Sequence, residues 1–195
     1  MEAGTRVGDP FAELFERPDG AGRPEGWPVH PAALGDELLL RGCERGSGRT
    51  GGPGGQNRNK VSTMVVLRHG ATGLSAQAGE RRSVRENLPV ALRRLRLVLA
   101  SAHRVGVPDG EARTALWRSR VRGGRIVLSE RHRDYPSMLA EAMDMLFACG
   151  LDERRAATRL GVTVTQLVRL VASHAPALAA LNAARESRGK HKLRG

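Results

Sequence analysis

The chain has 195 residues, 40% apolar and only 3% aromatic, which suffices for one ordinary domain with an aliphatic core and additional segments. Its formal charge is +12, and the excess lies between positions 41 and 133, where 20 basic side chains stand against 6 acidic ones. Two cysteines, Cys43 and Cys149, exclude a disulfide scaffold, while the positive field makes nucleic acid the leading partner.

The first predicted ordered element is a short helix within 32–42, because residues 1–30 are rich in glycine, proline and acidic side chains and are expected to be disordered. No signal peptide or membrane span is recognisable, so a cytoplasmic protein without a membrane partner is expected. Residues 44–49 are interpreted either as a strand or as the base of the loop that follows.

That loop, here called the glycine loop, covers residues 49–60 and holds four glycines, one proline and one glutamine within six positions. Glycine reaches backbone conformations closed to other residues, whereas Pro53 has a fixed φ and no N–H donor. The segment is therefore predicted to project from the fold. Because Gln56 ends the glycine run and cationic residues follow at once, it is interpreted as functional and not as a linker.

A hairpin and a helix are predicted next. Residues 62–68 are β-branched and apolar like a buried strand, 69–73 form a turn, and 74–78 supply the returning strand. A helix then runs to about Ala102, and two N-caps fit it: Ser83, with Glu86 in a capping box, or Asn87. Leucines recur on the face that should cover the sheet, at Leu88, Leu92, Leu95 and Leu99.

After a break at 105–110, residues 117–129 are predicted to form a second, smaller hairpin that turns at Gly123-Gly124. Four helices are predicted to follow. The first is expected from Ser137 to Cys149, and the second begins at its cap Asp152 and ends at Gly161. A capping box at Thr163 to Gln166 begins the third, and the fourth is expected from Pro176 to Arg185.

The second and third of these helices have the spacing of a helix-turn-helix, with Gly161 at the turn. A packed helical bundle has the same spacing, so both interpretations stay open. Residues 186–195 carry four lysine and arginine side chains and no core pattern, and a flexible basic tail is expected.

The predicted fold class is α+β. A small domain, in which a hairpin or mixed sheet packs on a helix, is followed by an all-helical bundle. The expected organisation, in order, is a disordered acidic segment 1–30, a domain 31–104, a connector with the small hairpin 105–135, a helical domain 136–185, and the tail 186–195.

The string Gly52-Pro53-Gly54-Gly55-Gln56, with Asn59-Lys60 behind it, resembles the GGQ domain of class I peptide chain release factors and of the small ribosome-rescue hydrolases related to them. The resemblance covers roughly residues 31–104. Arg49 precedes the glycines at the family's spacing. Beyond the loop, the family's hairpin turn is matched by His69, Thr72 and Gly73, and its Glu-x-Arg-Ser-x-x-x-Asn stretch is matched by Glu80, Arg82, Ser83 and Asn87.

Three positions depart from the family's pattern. Asn57 stands where histidine is common, Arg58 where a small apolar residue is usual, and Val84 where glutamine follows Arg-Ser. These departures concern the contacts to rRNA and leave Gly54, Gly55 and Gln56 intact.

The resemblance implies hydrolysis of the ester that joins the nascent peptide to P-site tRNA, with Gly54, Gly55 and Gln56 as the catalytic residues. In the family the backbone N–H of the glutamine stabilises the oxyanion, and the glycines allow its conformation. The side-chain amide cannot act as a general base, so orienting water is its expected role. Contacts to rRNA or tRNA are expected from a cationic and polar set, namely Arg49, Arg58, Asn59, Lys60, Arg81 and Arg82.

No cofactor or metal is expected, because the histidines and cysteines show no spacing typical of a triad or metal site. Separate codon-reading domains do not fit in this length, and the Pro-x-Thr and Ser-Pro-Phe recognition strings are absent. The rescue hydrolases use a basic tail in the mRNA channel, and the cations that would serve here are Arg185, Arg188, Lys190, Lys192 and Arg194.

The expected function is therefore a monomeric, ribosome-dependent peptidyl-tRNA hydrolase of the rescue type, whose partners are large-subunit rRNA at the peptidyl transferase centre and P-site peptidyl-tRNA. Two alternatives remain. One is a ribosome or rRNA-binding protein without hydrolysis, and the other is a DNA-binding regulator that uses the C-terminal helices.

Overall fold

A computed structural model describes residues 27–48 and 63–195. A 3₁₀ turn, Pro31–Ala33, precedes the regular elements. The strands are β1 Cys43–Gly48, β2 Met64–His69, β3 Ser75–Ala78, β4 Val121–Arg122 and β5 Arg125–Ile126. The α-helices are α1 Asp36–Arg41, α2 Val84–Ala102, α3 Ala115–Arg120, α4 Tyr135–Ala148, α5 Glu153–Leu160, α6 Val164–Ala172 and α7 Ala175–Glu186. Sheet and helices share one fold, which confirms the predicted α+β class.

The main sheet has the strand order β1-β2-β3, with both pairs antiparallel. Along β2 the side chains alternate, and Val65, Leu67 and His69 are buried. Because the period of a strand is two, these residues lie on one face, which α2 covers. The predicted hairpin of β2 and β3 is confirmed, and the open question at 44–49 is settled in favour of a strand that ends at Gly48.

Helix α2 begins at the Ser83 cap. The Ser83 hydroxyl accepts a hydrogen bond from the Glu86 amide at 3.2 Å and donates one to the Glu86 carboxylate at 2.8 Å. Ser83 is thus the N-cap and is paired with Glu86 as predicted, and the competing assignment of Asn87 as N-cap is wrong, because Asn87 lies inside the helix. The predicted apolar face packs inward, with Leu92, Leu95 and Leu99 buried and Leu88 half-buried.

The sequence predicts the second hairpin over 117–129, and the first part of this prediction is wrong. Residues 115–120 form the short helix α3, which the Thr114 hydroxyl caps by accepting from the Trp117 amide at 3.0 Å. Trp117 is fully buried, and its indole Nε1 donates to the Leu160 carbonyl at 2.8 Å. The hairpin proper is only β4 and β5, turning at Gly123 and Gly124 with φ of 55° and 75°.

Helix α4 is the centre of the C-terminal half, because most of its side chains are buried and it packs against α2, α5 and α6. Its link to the end of α2 includes a buried ion pair, in which Arg104 Nη1 lies 3.2 Å from Asp144 Oδ1. Burial raises the pKa of Asp144 to about 7, although the neighbouring Arg104 opposes the shift.

The four predicted C-terminal helices are present with limits close to those expected. Asp152 caps α5, Gly161 ends it in the left-handed region at φ 66°, and the Thr163 hydroxyl caps α6. Gln166 does not complete a capping box, because its side-chain oxygen accepts from the Ile126 amide at 3.2 Å. The helix-turn-helix spacing therefore corresponds to two helices joined at Gly161, and their role stays a prediction.

The C-terminal residues do not form the flexible tail that the sequence predicts. The Leu193 amide donates to Asn182 Oδ1 at 2.8 Å, and Asn182 Nδ2 donates to the Leu193 carbonyl at 3.0 Å. The Lys190 amide donates to the Arg185 carbonyl at 2.9 Å. These bonds fold the segment back along α7.

The buried apolar residues of both halves form one continuous cluster, from Trp27 through the sheet and α2 to Leu181 in α7. Among the described residues, no single helix has the length and apolar character to cross a membrane, and only the bent pair α6 and α7 meets both conditions together. The sheet and the N-terminal end of α2, which begins after Ser83, hold the residues that flank the glycine loop.

Candidate functional site

The glycine loop itself lies outside the described residues, and with it the predicted catalytic residues Gly54, Gly55 and Gln56. The same is true of the expected RNA contacts Arg49, Arg58, Asn59 and Lys60. The structure does describe the two points at which the loop leaves the fold. These are Gly48, the last residue of β1, and Met64, the first residue of β2.

Gly48 and Met64 are partners in the antiparallel ladder of β1 and β2. Paired residues in such a ladder have Cα atoms about 5 Å apart, so both ends of the loop are held side by side. Gln56 is eight residues from Gly48 and eight from Met64. The register of the sheet therefore puts this glutamine at the midpoint of the connection.

A second restraint acts on the exit from the loop through the side chain of Asn87. Its Nδ2 donates to the Thr63 carbonyl at 2.7 Å and to the Arg81 carbonyl at 3.1 Å. Its Oδ1 accepts from the Arg81 amide at 2.9 Å. Asn87 is completely buried, so these bonds replace the water that the amide would otherwise bind. We call this set of three residues the Asn87 bridge.

The Asn87 bridge fixes the main chain of Arg81, one of the two predicted RNA contacts that the structure describes. The side chains of Arg81 and Arg82 are both exposed, and within the described residues neither has an ion-pair partner. They are thus available for anions next to the loop exit. A guanidinium suits this role because it presents several N–H donors to a phosphate.

The residues just before Arg81 are braced from α2. The guanidinium of Arg94 forms an ion pair with Glu80, and its Nη1 donates to the Gln77 carbonyl at 2.8 Å. The hydrogen bond from Arg94 lowers the pKa of the Glu80 carboxyl. The family string identifies Glu80, but sequence reasoning misses Arg94, because helical periodicity places it only on the outward face of the helix.

His69 lies at the end of β2 away from the loop, about 17 Å from Met64 at the usual rise of a strand. Its Nδ1 is hydrogen-bonded to the Thr72 hydroxyl at 2.9 Å, and the same hydroxyl accepts from the Leu74 amide at 3.3 Å. Burial, together with His103, lowers the pKa of His69. The lowered pKa favours the neutral imidazole near pH 7, and the bond to Thr72 joins the end of β2 to the turn that follows. The sequence predicts His69 inside this turn, whereas the structure has it as the last residue of the strand.

The remaining candidates are the five C-terminal cations. Arg185 is buried, and its Nη1 lies 2.7 Å from Glu153 and donates to the Leu151 carbonyl at 2.5 Å. It therefore supports the fold and is not a free tail cation. Lys192 pairs with Glu186 at 3.2 Å, whereas Arg188, Lys190 and Arg194 are exposed.

Within the described ranges, the structure contains no group of three His, Cys, Asp or Glu side chains placed to hold a metal ion. The described part of the candidate site consists of the paired strand ends that flank the glycine loop, the Asn87 bridge, and the exposed side chains of Arg81 and Arg82. These described residues contain no set of side chains that resembles a self-contained hydrolytic triad.

Comparison with known proteins agrees with this geometry. A family model described as the RF-1 domain matches residues 44–146, which is more than half of the chain and runs from β1 into α4. No curated protein and no solved structure matches the chain significantly. The chain belongs to the RF-1 domain family, which is the GGQ-containing domain of class I release factors.

Proposed function

We propose that this protein hydrolyses the peptidyl-tRNA ester on the ribosome and rescues stalled ribosomes without reading a stop codon. Its family supports a release-factor-like role on the ribosome in general. The observation that carries the proposal is the pairing of Gly48 with Met64, since Gln56 is the middle residue of the sequence between them and the Gly-Gly-Gln string is intact.

The proposed reaction is the attack of water on the ester carbonyl, with the tRNA ribose oxygen as the leaving group. The backbone N–H of Gln56 stabilises the oxyanion, and loss of one such donor in a hydrolase costs about 10²- to 10³-fold in rate. Gly54 and Gly55 permit the required backbone conformation. rRNA and the tRNA supply the rest of the site, so the isolated protein is expected to be a poor esterase.

The charges around the loop support RNA as the surface on which it docks. Arg49, Arg58 and Lys60 follow or precede the glycines, and exposed Arg81 and Arg82 lie beside the exit from the loop. Contacts of this kind to phosphates fix position and orientation without reading sequence. The Asn87 bridge reduces the entropy lost on docking, because it orders Arg81 and Thr63 in advance.

The absence of the family's recognition strings supports rescue over stop-codon termination. Release is accordingly expected to be independent of the codon in the A site. Arg188, Lys190, Lys192 and Arg194 remain candidates for an mRNA-channel contact, although they lie in a segment that is folded back along α7.

The test is peptide release from ribosomes that carry P-site peptidyl-tRNA, with the intact stalled ribosome, the ribosome on truncated mRNA and the split large subunit as separate substrates. We expect wild type to release peptide from at least one of them. Gly55→Ala and Gln56→Ala are expected to lower release at least about 10²-fold, because each disturbs the oxyanion donor or the water beside it.

Cosedimentation with large subunits serves as the control for binding and should be equal for wild type and both variants. If wild type cosediments but releases nothing, while a known rescue hydrolase is active in the same assay, the protein is a non-hydrolytic ribosome-binding protein and the proposal fails. Release that requires a stop codon contradicts the rescue assignment alone.

A further inference from the structure

The small hairpin of β4 and β5 carries an unfavourable charge arrangement. Arg122 and Arg125 are direct cross-strand partners, both are exposed, and neither has an ion-pair partner within the described part of the chain. Like charges placed opposite each other destabilise a strand pair. A ladder of two residues per strand has few hydrogen bonds to offset this repulsion, so the stability of the fold does not explain why both positions are arginine.

The surroundings of the hairpin do not neutralise it. Residues 113–134 hold seven arginines and two acidic side chains. Asp134 forms an ion pair with Arg120 at 2.6 Å. Arg113 forms an ion pair at 2.7 Å with Glu111, which lies outside this segment. The positive field at Arg122 and Arg125 is therefore open to solvent. At a solvent-exposed site this field attracts polyanions over roughly 8–10 Å at moderate ionic strength.

The hairpin is held rigidly against the start of α6. The Thr163 amide donates to the Gly124 carbonyl at 3.1 Å, and the Ile126 amide donates to Gln166 Oε1 at 3.2 Å. The first bond joins the hairpin to the turn between α5 and α6, and the second joins it to the first turn of α6. Arg169, one turn further along α6, is exposed and carries a third cation. Hairpin and α6 therefore form one surface.

We propose that this surface, defined by Arg122, Arg125 and Arg169, binds the phosphate backbone of duplex RNA as a second contact, separate from the glycine loop. Arginine binds phosphate with paired N–H donors, and two arginines on a rigid ribbon lose little entropy on binding. A protein partner is not favoured, because the hairpin offers little exposed apolar surface. Among the described residues, Val127 is the single large apolar side chain near the hairpin that is strongly exposed. The choice of RNA over DNA rests on the proposed function.

The experiment measures binding of the full chain to a fluorescent RNA duplex of about two helical turns, and to a DNA duplex of the same sequence, by anisotropy over a series of salt concentrations. The test variant is Arg122→Gln with Arg125→Gln. The matched control is Arg154→Gln with Arg155→Gln, which removes the same charge from exposed positions on α5 outside the defined surface. Thermal unfolding checks that both variants remain folded.

We expect the hairpin variant to bind RNA at least about 10-fold more weakly than the wild type. The magnitude of the negative slope of log affinity against log salt is expected to decrease by about two, because two phosphates are no longer neutralised by an arginine. The control variant is expected to change both quantities much less. Equal decreases in the two variants, or no decrease in either, overturn the proposal, because binding then follows only the total charge. Tighter binding to the DNA duplex overturns the choice of RNA.

The two proposals fail separately. Absence of peptide release with hairpin-dependent RNA binding removes the hydrolase function and leaves this surface intact. Peptide release together with unchanged RNA binding by the hairpin variant removes the surface and leaves the hydrolase function.

Discussion

At the scale of single residues, Asn87 joins the exit from the glycine loop to the main chain of Arg81. It lies inside the first turns of α2, completely buried, and joins two chain segments that are not neighbours in sequence, at Thr63 and Arg81. A buried amide that keeps all its partners is stable, whereas one that loses them bears the full cost of desolvation. The exit from the loop is therefore held by this side chain in addition to the pairing of Gly48 with Met64.

Replacing Asn87 by alanine is expected to lower the free energy of unfolding by about 1–3 kcal/mol, because the Thr63 carbonyl and the Arg81 amide lose their partner. Asn87→Asp is expected to cost at least as much, since a carboxylate oxygen then faces the Thr63 and Arg81 carbonyls. Urea unfolding measures the loss, and hydrogen exchange at Met64 and Val65 reports on the loop exit.

Asn182→Ala is the matched control, because Asn182 also bridges backbone groups, here the amide and carbonyl of Leu193. It is expected to lower stability without changing exchange at Met64 and Val65. If Asn87→Asp protects those amides as well as the wild type, the two Nδ2 bonds do not hold the loop exit.

From the sequence, Asn87 is recognised only as a match to the family string or as a possible helix cap. The bond from Asn87 to Thr63 spans 24 positions, and no local rule predicts a partner at that distance. Ser83, by contrast, is recognisable as the cap because Glu86 follows it at the spacing that a capping box requires. The local cap at Ser83 is thus predictable from the sequence, whereas the distant partner of Asn87 is not.

At the scale of secondary-structure elements, α3 shows where sequence patterns fail. A six-residue helix is too short to show helical periodicity, and an aromatic residue near a Gly-Gly turn is typical of a strand. What makes these residues helical is tertiary: the Thr114 hydroxyl caps the helix and also donates to buried Glu141 at 2.6 Å. The same rules succeed for β2, β3 and the longer C-terminal helices.

Trp117→Phe is expected to destabilise the protein by about 1–3 kcal/mol, because the buried carbonyl of Leu160 loses the indole N–H and the smaller ring leaves a gap. The loss should be local to the end of α5. Hydrogen exchange in the last turn of α5, together with urea unfolding, measures it.

Tyr135→Phe is the matched comparison, since the Tyr135 hydroxyl donates to the Leu170 carbonyl in the last turn of α6 at 2.9 Å. Burial raises the pKa of this hydroxyl to about 12, so it is a neutral donor at all ordinary pH. Faster exchange in α6 for Tyr135→Phe and in α5 for Trp117→Phe is the expected pattern. Identical exchange maps for the two variants contradict the assignment.

At the scale of the whole molecule, the core does not stop where the family match stops. The match ends at position 146 inside α4, whose buried side chains Met138, Leu139 and Met143 belong to the same cluster as Leu167 and Leu181 of α6 and α7. A predicted boundary at 135/136 divides this cluster between two domains. That boundary stays a prediction, because packing alone does not show which part folds alone.

A fragment of residues 1–148 is expected to lack cooperative unfolding and to expose apolar surface, because removal of α5 to α7 uncovers the part of α4 that packs against α5 and α6. Circular dichroism during urea titration and binding of a hydrophobic dye measure this. A cooperative transition with little dye binding contradicts the expectation and supports the boundary. For the same reason, substitutions test nucleic-acid binding by the C-terminal helices better than deletions.

The pairing of Gly48 with Met64 sets an upper limit on the distance between the fold and Gln56, the proposed catalytic residue. Eight residues separate Gln56 from either anchor, and a chain spans at most about 3.4 Å per residue, so Gln56 reaches no further than about 27 Å from the sheet. Any docked position that permits hydrolysis must place the end of the sheet within this radius of the ester, whatever path the loop follows.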